Sequence, residues 1–112
     1  MKVKLINDKF LSLLGLCQKA GKMISGSMQC ESAVRSGKVH LLIISEEASE
    51  ATIDEFTHLC TNRNIPLIIT GDKDELGSAI GKHSRTLLAV SDPVFKKLLL
   101  KKYQEIQHGG DR

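Results

Sequence analysis

Long apolar runs are absent from this 112-residue chain. The longest runs, Leu41–Ile44 and Leu87–Val90 among them, span only a few residues, whereas a transmembrane helix needs about 20. The opening segment MKVKLINDKF also lacks the apolar stretch and the small-residue cleavage site of a secretory signal. We therefore expect a cytoplasmic protein with no membrane partner.

Aromatic residues are scarce, with one Tyr, three Phe and no Trp. A surface that stacks a series of single-stranded bases needs several aromatic rings, so the composition argues against such a platform. The contents of hydrophobic residues, 41%, and of charged residues, 26%, are those of an ordinary globular protein. At this length we expect one domain, residues 1–112.

Cysteine and histidine do not occur in metal-binding or redox patterns. The three cysteines are far apart and form no Cys-x-x-Cys pair, and the four histidines lack the spacing of metal ligands. Cys17, Cys30 and Cys60 each lie among apolar residues of a predicted helix, which favours buried, inert thiols. The sequence predicts neither a metal site nor a cofactor.

Compact catalytic motifs are missing as well. No serine stands in a Gly-x-Ser-x-Gly elbow, and the segment GSAIGKH (77–83) departs from a Walker phosphate loop in its spacing and in its last residue. Paired acids such as Glu46 and Glu47 lie at predicted helix starts, where the helix dipole explains them. We predict no enzymatic activity; the least favoured alternative is a small α/β enzyme whose catalytic residues assemble from distant positions.

The net charge of +3 is unevenly distributed. Residues 1–40 carry a net charge of +5, residues 41–77 carry −6, and residues 78–112 carry +4. If folding brings the two basic ends to one side, the protein has a positive face suited to a polyanion. The alternative is that these charges lie on solvated helix faces.

Helical and strand patterns alternate along the chain. Apolar residues three and four apart predict helices near 8–20, 28–36 and 50–63, a short helix beginning at 72 or 73, and a last helix after Asp92. Apolar runs predict strands at 23–25, 39–44, 67–70 and 86–90, and the run at 39–44 is typical of a central strand. This pattern predicts the α/β class, as a three-layer α/β/α sandwich with a four-stranded mixed sheet. The tail, about 108–112, is expected to fray.

Two loops stand out as candidate binding segments, residues 22–29 and residues 81–85. Backbone N–H groups from Gly26 to Met28 at a helix start can hold phosphates, and Lys22 and Lys38 are close in sequence. Lys82 and Arg85 in the second loop are candidates to clamp another backbone segment of a nucleic acid. The alternative for the first loop is an ordinary strand-to-helix turn with Ser27 as its N-cap.

The segments MISGSMQCESAVRSGKVHLLIISEEAS, LCTNRNIPLIITGDKDELGSAIGK and TLLAVSD resemble ribosomal proteins of the L-seven-Ae and L-thirty-e type, most closely the bacterial YlxQ-like branch. The similarity covers about residues 10–99, and its most specific parts include Gly26 with Gly37 and the segment Asn64-Ile65-Pro66. The resemblance implies an α/β/α sandwich that binds RNA, in many members a kink-turn. The contacts would come from the loop and helix start after the first strand and from the loop before the last strand. It also implies no enzymatic activity and no cofactor.

Family members that bind kink-turns carry Gly-x-Asn-Glu-x-x-Lys at the helix start, where this chain has Gly26, then Met28, Gln29 and Ser32. Gln29 keeps an amide donor and acceptor, Met28 cannot form the hydrogen bonds of Asn, and Ser32 carries no charge. We predict a structured RNA, either kink-turn-like or ribosomal RNA, as the partner, with no DNA. The alternative is a protein-interaction module on the same fold that has lost kink-turn binding. The predicted RNA-binding residues are Lys22, Gly26, Ser27, Met28, Gln29, Ser32, Lys38, Glu46, Lys82 and Arg85.

Overall fold

The computed structural model describes residues 7–109, which form five helices and four strands. In chain order these are α1 (Asp8–Lys19), β1 (Met23–Ser25), α2 (Ser27–Arg35), β2 (Leu41–Ile44), α3 (Glu50–Thr61), β3 (Leu67–Ile69), α4 (Lys73–Ala79), β4 (Leu87–Val90) and α5 (Pro93–Gly109). Every predicted helix and strand is confirmed, with end shifts of one or two residues. Residues 110–112, most of the predicted frayed tail, lie outside the described residues.

Side chains cap the starts of most helices, because the first backbone N–H groups of a helix have no partner within it. Asn7 and Ser49 accept the N–H groups of Phe10 and Thr52 at 2.9 and 3.1 Å. Asp72 forms a capping box with Glu75, and Asp92 accepts the first N–H groups of α5. In α2 no side chain takes this role. Its N-cap is Gly26, so the expectation of Ser27 as the N-cap is wrong, although the connection from β1 to α2 is as short as a turn.

The four strands form one mixed sheet in the order β1-β4-β2-β3. Strand β4 is antiparallel to both of its neighbours, β1 and β2, whereas β2 and β3 are parallel. The two inner strands, β2 and β4, are buried along their whole length, which confirms the predicted central strand. The mixed character of the sheet is also confirmed.

Helices cover both faces of the sheet because successive strand side chains point to opposite sides. Leu41 and Ile43 belong to a core cluster with buried side chains of α1, α4 and α5. Leu42 and Ile44 belong to a second cluster with buried side chains of α2 and α3. The predicted three-layer α/β/α sandwich is therefore confirmed, with α1, α4 and α5 on one face and α2 and α3 on the other.

The three thiols lie inside these two clusters, Cys17 in the first and Cys30 and Cys60 in the second. Burial raises the pKa of Cys17 and Cys60 to about 11 and that of Cys30 to about 12. A thiol is a nucleophile and a metal ligand mainly as the thiolate. The prediction that these cysteines are buried is confirmed, and the raised pKa values favour the unreactive, protonated thiol.

The basic ends of the chain meet only in part. Helices α1 and α5 pack against each other, but α2, which also belongs to the basic N-terminal block, lies on the opposite face beside the acidic α3. Helix α4, from the acidic middle of the chain, packs against α1. The expected single positive face is thus divided between two sides of the molecule. None of the helices in the described range is long and apolar enough to cross a membrane.

Candidate nucleic-acid interface

Gly26 shapes the start of α2. Its backbone has φ +100° and ψ 149°, a combination that is open almost only to glycine. Its N–H donates to the Leu87 carbonyl oxygen at 3.1 Å, and its carbonyl oxygen accepts the Cys30 N–H at 2.9 Å. The N–H groups of Ser27, Met28 and Gln29 are left without an acceptor among the described residues. Three unpaired donors therefore lie at the positive end of a helix, an arrangement that favours an anion.

The Gln29 side chain folds back over this helix start. A Cβ atom at residue 26 would lie 2.5 Å from the Gln29 amide oxygen. The absence of a side chain at Gly26 thus lets the Gln29 amide, with its donor and its acceptor, lie beside the three N–H groups. We call Gly26, Ser27, Met28 and Gln29 the α2 start.

Arg85 joins the second predicted loop to the first. Its Nε donates to the Ser25 Oγ at 3.3 Å, one residue before Gly26. A guanidinium nitrogen, Nη1, also donates to the carbonyl oxygens of His83 and Ser84 at 3.3 and 3.0 Å. The structure therefore places Arg85 next to the residue that precedes Gly26.

Helix α4 holds the loop that carries Lys82. The Lys82 N–H donates to the Gly77 carbonyl oxygen at 2.8 Å, and the Ser84 Oγ donates to the Asp74 carboxylate at 2.6 Å. Gly77 is buried, and a Cβ atom there would collide with the His83 carbonyl oxygen. The loop is thus fixed to α4, while the Lys82 side chain remains exposed.

Three supporting residues were missed by the sequence analysis: Ser25, Asp74 and Gly77. A glycine inside a short helix indicates close approach of another segment, so the sequence does contain a signal for the role of Gly77. Asp74 lies in the first turn of α4, where the helix dipole accounts for an acid, and nothing local marks Ser25 as a partner of an arginine 60 positions away. Their roles depend on contacts between distant segments.

Glu46 lies at the same end of the two inner strands as Arg85, since Glu46 follows β2 and Arg85 precedes β4. The neighbouring Ser45 N–H donates to the Thr86 carbonyl oxygen at 2.8 Å, and the Glu46 N–H donates to Gly71 at 2.8 Å. Glu47 is also at this end, where its carboxylate accepts the Lys73 N–H at 2.9 Å. This end of the strands therefore presents both signs of charge, with the cations in the loop before β4 and the acids in the loop after β2.

Lys22 and Lys38 lie away from the α2 start. The Lys22 carbonyl oxygen accepts the Ser91 N–H at 2.9 Å, at the opposite end of β1 from Gly26. Four residues of extended chain separate Lys22 and Gly26 by about 13 Å. Lys38 follows the far end of α2, so the structure does not bring either lysine to the three free N–H groups.

An open groove of about 400 Å³ runs along α2 and connects several predicted residues. It is lined by Ile24, Met28, Gln29, Ser32, Ala33, Ser36 and Lys38. Met28 is 81% exposed, and Ser32 is exposed one helical turn further on. The groove thus links the α2 start to Lys38 through a surface of apolar side chains and two hydroxyls, with no charged residue between them.

Comparison with protein families gives a match over residues 8–100 to the model of the ribosomal protein L7Ae/L30e/S12e/Gadd45 family. The RNA-binding protein YlxQ of Bacillus subtilis (strain 168) is 30% identical over 92 residues, which cover 82% of this chain and 92% of that protein. The large ribosomal subunit protein eL30 of Trypanosoma brucei brucei is 30% identical over 93 residues, covering 81% of this chain and 89% of that protein.

Solved structures show the same fold. A protein of unknown function from Bacillus halodurans C superposes with a TM-score of 0.85 at 36% identity, covering 88% of this chain and all of that chain. The 15.5kD RNA binding protein of Giardia lamblia superposes with a TM-score of 0.74 at 16% identity, covering 91% of each chain. At that identity the second similarity concerns the fold alone.

Proposed function

Because the chain belongs to the ribosomal protein L7Ae/L30e/S12e/Gadd45 family, we propose that it is a non-enzymatic protein that binds structured RNA with the α2 start. The observation that carries the proposal is the group of three unpaired N–H donors at Ser27, Met28 and Gln29 beside the Arg85 guanidinium. The names of two similar proteins, an RNA-binding protein and a large-subunit ribosomal protein, support RNA as the ligand.

Each part of the site has a different task in this proposal. The three N–H groups bind a phosphate of a bent backbone, and the Gln29 amide hydrogen-bonds to a base edge. Arg85 and Lys82 bind the phosphates of a second segment, since such contacts position a protein on a nucleic acid. The RNA is a kink-turn-like element or a segment of ribosomal RNA, and with such a partner the protein works in the cytoplasm. None of these contacts needs a cofactor.

A salt titration with two matched variants tests the site. Lys82→Glu reverses a charge in the loop of Arg85, which is hydrogen-bonded to Ser25, whereas Lys22→Glu makes the same change at the other end of β1. We expect Lys82→Glu to weaken binding to ribosomal RNA fragments and to a kink-turn RNA by about tenfold or more. It should also reduce the slope of log K against log salt by about 1, the amount expected for the loss of one phosphate contact. Equal losses for both variants would show that RNA binds elsewhere or without a defined site.

Met28 and Ser32 favour a second candidate function, a protein-interaction module on the same fold. The 81% exposed Met28 side chain offers apolar contact instead of hydrogen bonds. We test this with Met28→Asn combined with Ser32→Lys, and with Ser36→Lys as the control one turn further along α2. If the site faces RNA, the double variant gains kink-turn affinity and the control does not. A protein partner that survives nuclease treatment and is lost in Met28→Asn favours the second candidate.

A further inference from the structure

A second groove lies between α1 and α5, across the sheet from α2. Its volume is about 450 Å³, and its lining includes the aliphatic side chains Leu13, Leu16 and Leu98. The rim is formed by Asp8, Lys9, Ser12, Lys101, Lys102 and Glu105. We call this the α1–α5 groove.

Two of the three aliphatic residues that line this groove, and a third residue beside it, are open to solvent. Leu16 is 54% exposed and Leu98 is 44% exposed, although they lie on neighbouring helices. Val94, one turn before Leu98 on the same face of α5, is 61% exposed. Single exposed aliphatic residues are ordinary, but a group of them with a polar rim is typical of an interaction site.

The charged residues that line the groove carry a small net positive charge. They are the lysines Lys9, Lys101 and Lys102 and the acids Asp8 and Glu105. One of the acids, Glu105, accepts a hydrogen bond from the Lys102 ammonium at 2.8 Å, which lowers the pKa of Glu105. Lys9 and Lys101 form no ion pair with the described residues. A partner that covers the groove therefore needs acidic residues at its edges.

We propose that the α1–α5 groove binds an amphipathic helix of another protein, with aliphatic residues on one face and Asp or Glu along both borders. The 12-residue α1 is about 18 Å long and matches about three turns of a bound helix. Aliphatic anchors in a groove between two helices are a known mode of helix recognition.

RNA fits this groove less well than a helix does. Leu13, Leu16 and Leu98 offer no hydrogen bond to a base, and the neighbouring Tyr103 is half-buried with its ring centroid 6.5 Å from that of Phe10. Residues 1–6, which precede α1, carry two lysines and no acid, so their charges do not complement the rim. Because the groove and the α2 start lie on different faces of the sheet, both can be occupied at once.

A synthetic helix provides the test with the full chain. The probe is a fluorescent peptide of about 18 residues, long enough to form a helix, with Leu at helical spacing on one face and Glu on both borders. One comparison peptide has the same residues in scrambled order, and another has Lys in place of Glu. We expect the first peptide to bind at least about tenfold more tightly than either comparison peptide, a difference of about 1.4 kcal/mol.

Variants locate the binding and separate it from RNA binding. Leu98→Ser and Lys101→Glu should each weaken peptide binding by about tenfold, while Met28→Ser leaves it unchanged. Circular dichroism checks that both groove variants fold, and their RNA affinity is measured in parallel. The proposal is wrong if the three peptides bind alike or not at all, or if Leu98→Ser has no effect. It is also wrong if the groove variants abolish RNA binding or dissociate a dimer of this chain, since the groove would then serve RNA or a second copy.

Discussion

A single glycine determines what the start of α2 offers to a ligand. At φ +100° and ψ 149° a side chain at residue 26 is strained, and it also meets the Gln29 amide oxygen. The flexible Gln29 side chain can move away, but the backbone strain stays. Gly26 therefore allows the chain to bend from β1 into α2 while its N–H stays bonded to Leu87. The three following N–H groups remain without an acceptor among the described residues.

Gly26→Ala should lower both stability and RNA affinity. The backbone conformation costs a non-glycine residue about 1–3 kcal/mol, and a relaxed backbone changes the positions of the three N–H groups. Urea unfolding and RNA titration measure the two effects. Gly37→Ala is the control, because Gly37 also has a positive φ, +75°, but lies at the other end of α2. A Cβ atom there would meet no other atom within 4 Å. This variant should lose stability while it keeps its RNA affinity. Wild-type RNA affinity in Gly26→Ala would contradict the role of the α2 start.

Lysines show why residue identity was easier to predict than residue position. Lys22 and Lys82 are equally plausible phosphate ligands in the sequence, and Lys22 is the nearer of the two to Gly26 along the chain. Strand β1 separates Lys22 from Gly26, whereas the pairing of β1 with β4 brings the loop before β4 to Gly26. The residue types of the site can therefore be predicted from short segments of sequence. Which of them come together depends on a contact between segments 60 residues apart.

At the level of elements, the loop before β4 depends on α4. Gly77 lies in the middle of this seven-residue helix, and the carbonyl oxygen of His83 occupies the space of a side chain there. The Lys82 N–H is bound to the same residue. The position of the loop that carries Lys82 and Arg85 thus depends on close packing between its own backbone and that of α4.

Gly77→Ala should displace this loop. The methyl group has no room, and overpacking of this kind costs about 1–3 kcal/mol. We expect lower stability and weaker RNA binding, because Lys82 and Arg85 move together. Ser78→Ala, an exposed change in the same helix, should alter the free energy of unfolding by no more than about 0.5 kcal/mol. Urea unfolding and RNA titration of both variants provide the measurement. A loss of stability without a loss of RNA affinity would show that this loop does not contact the RNA.

The helices and strands themselves were predictable because their signals are local. Caps such as Asn7, Ser49 and Asp72 act within one turn, and apolar spacing identifies each helix. The strand order was not predictable, since three or four apolar residues in a row do not specify which strand pairs with which. The antiparallel position of β4 between β1 and β2 had to come from the structure.

At the scale of the whole molecule, the sheet separates two core clusters and two surfaces. The α2 start is on one face and the α1–α5 groove is on the other. Each core cluster contains at least one buried thiol, Cys17 on the α1 side and Cys30 and Cys60 on the α2 side. The thiols can therefore report whether the two halves unfold together.

We expect one labelling rate for all three thiols at pH 8. A domain of this size usually unfolds in one cooperative step, and the buried, protonated thiols react only after it. Labelling with a thiol reagent, followed by mass spectrometry of peptides, measures each site separately. Wild-type labelling in urea is the control for intrinsic reactivity. If Cys17 reacts faster than Cys30 and Cys60, the α1 side opens independently, and binding at the α1–α5 groove would act on a separate unit.

Stability should fall in alkaline solution because of the same thiols. Burial raises their pKa from the ordinary value of 9.0 to about 11 or 12. Above pH 9 the unfolded chain releases these protons while the folded chain retains them. The unfolded state then binds fewer protons, so the free energy of unfolding decreases as the pH rises towards 11. Urea unfolding at pH 8 and pH 10 measures the loss, and Cys30→Ala, which removes the thiol with the highest pKa, should show a smaller one. An equal loss in both proteins would mean that lysine or tyrosine titration, rather than the buried thiols, controls alkaline stability.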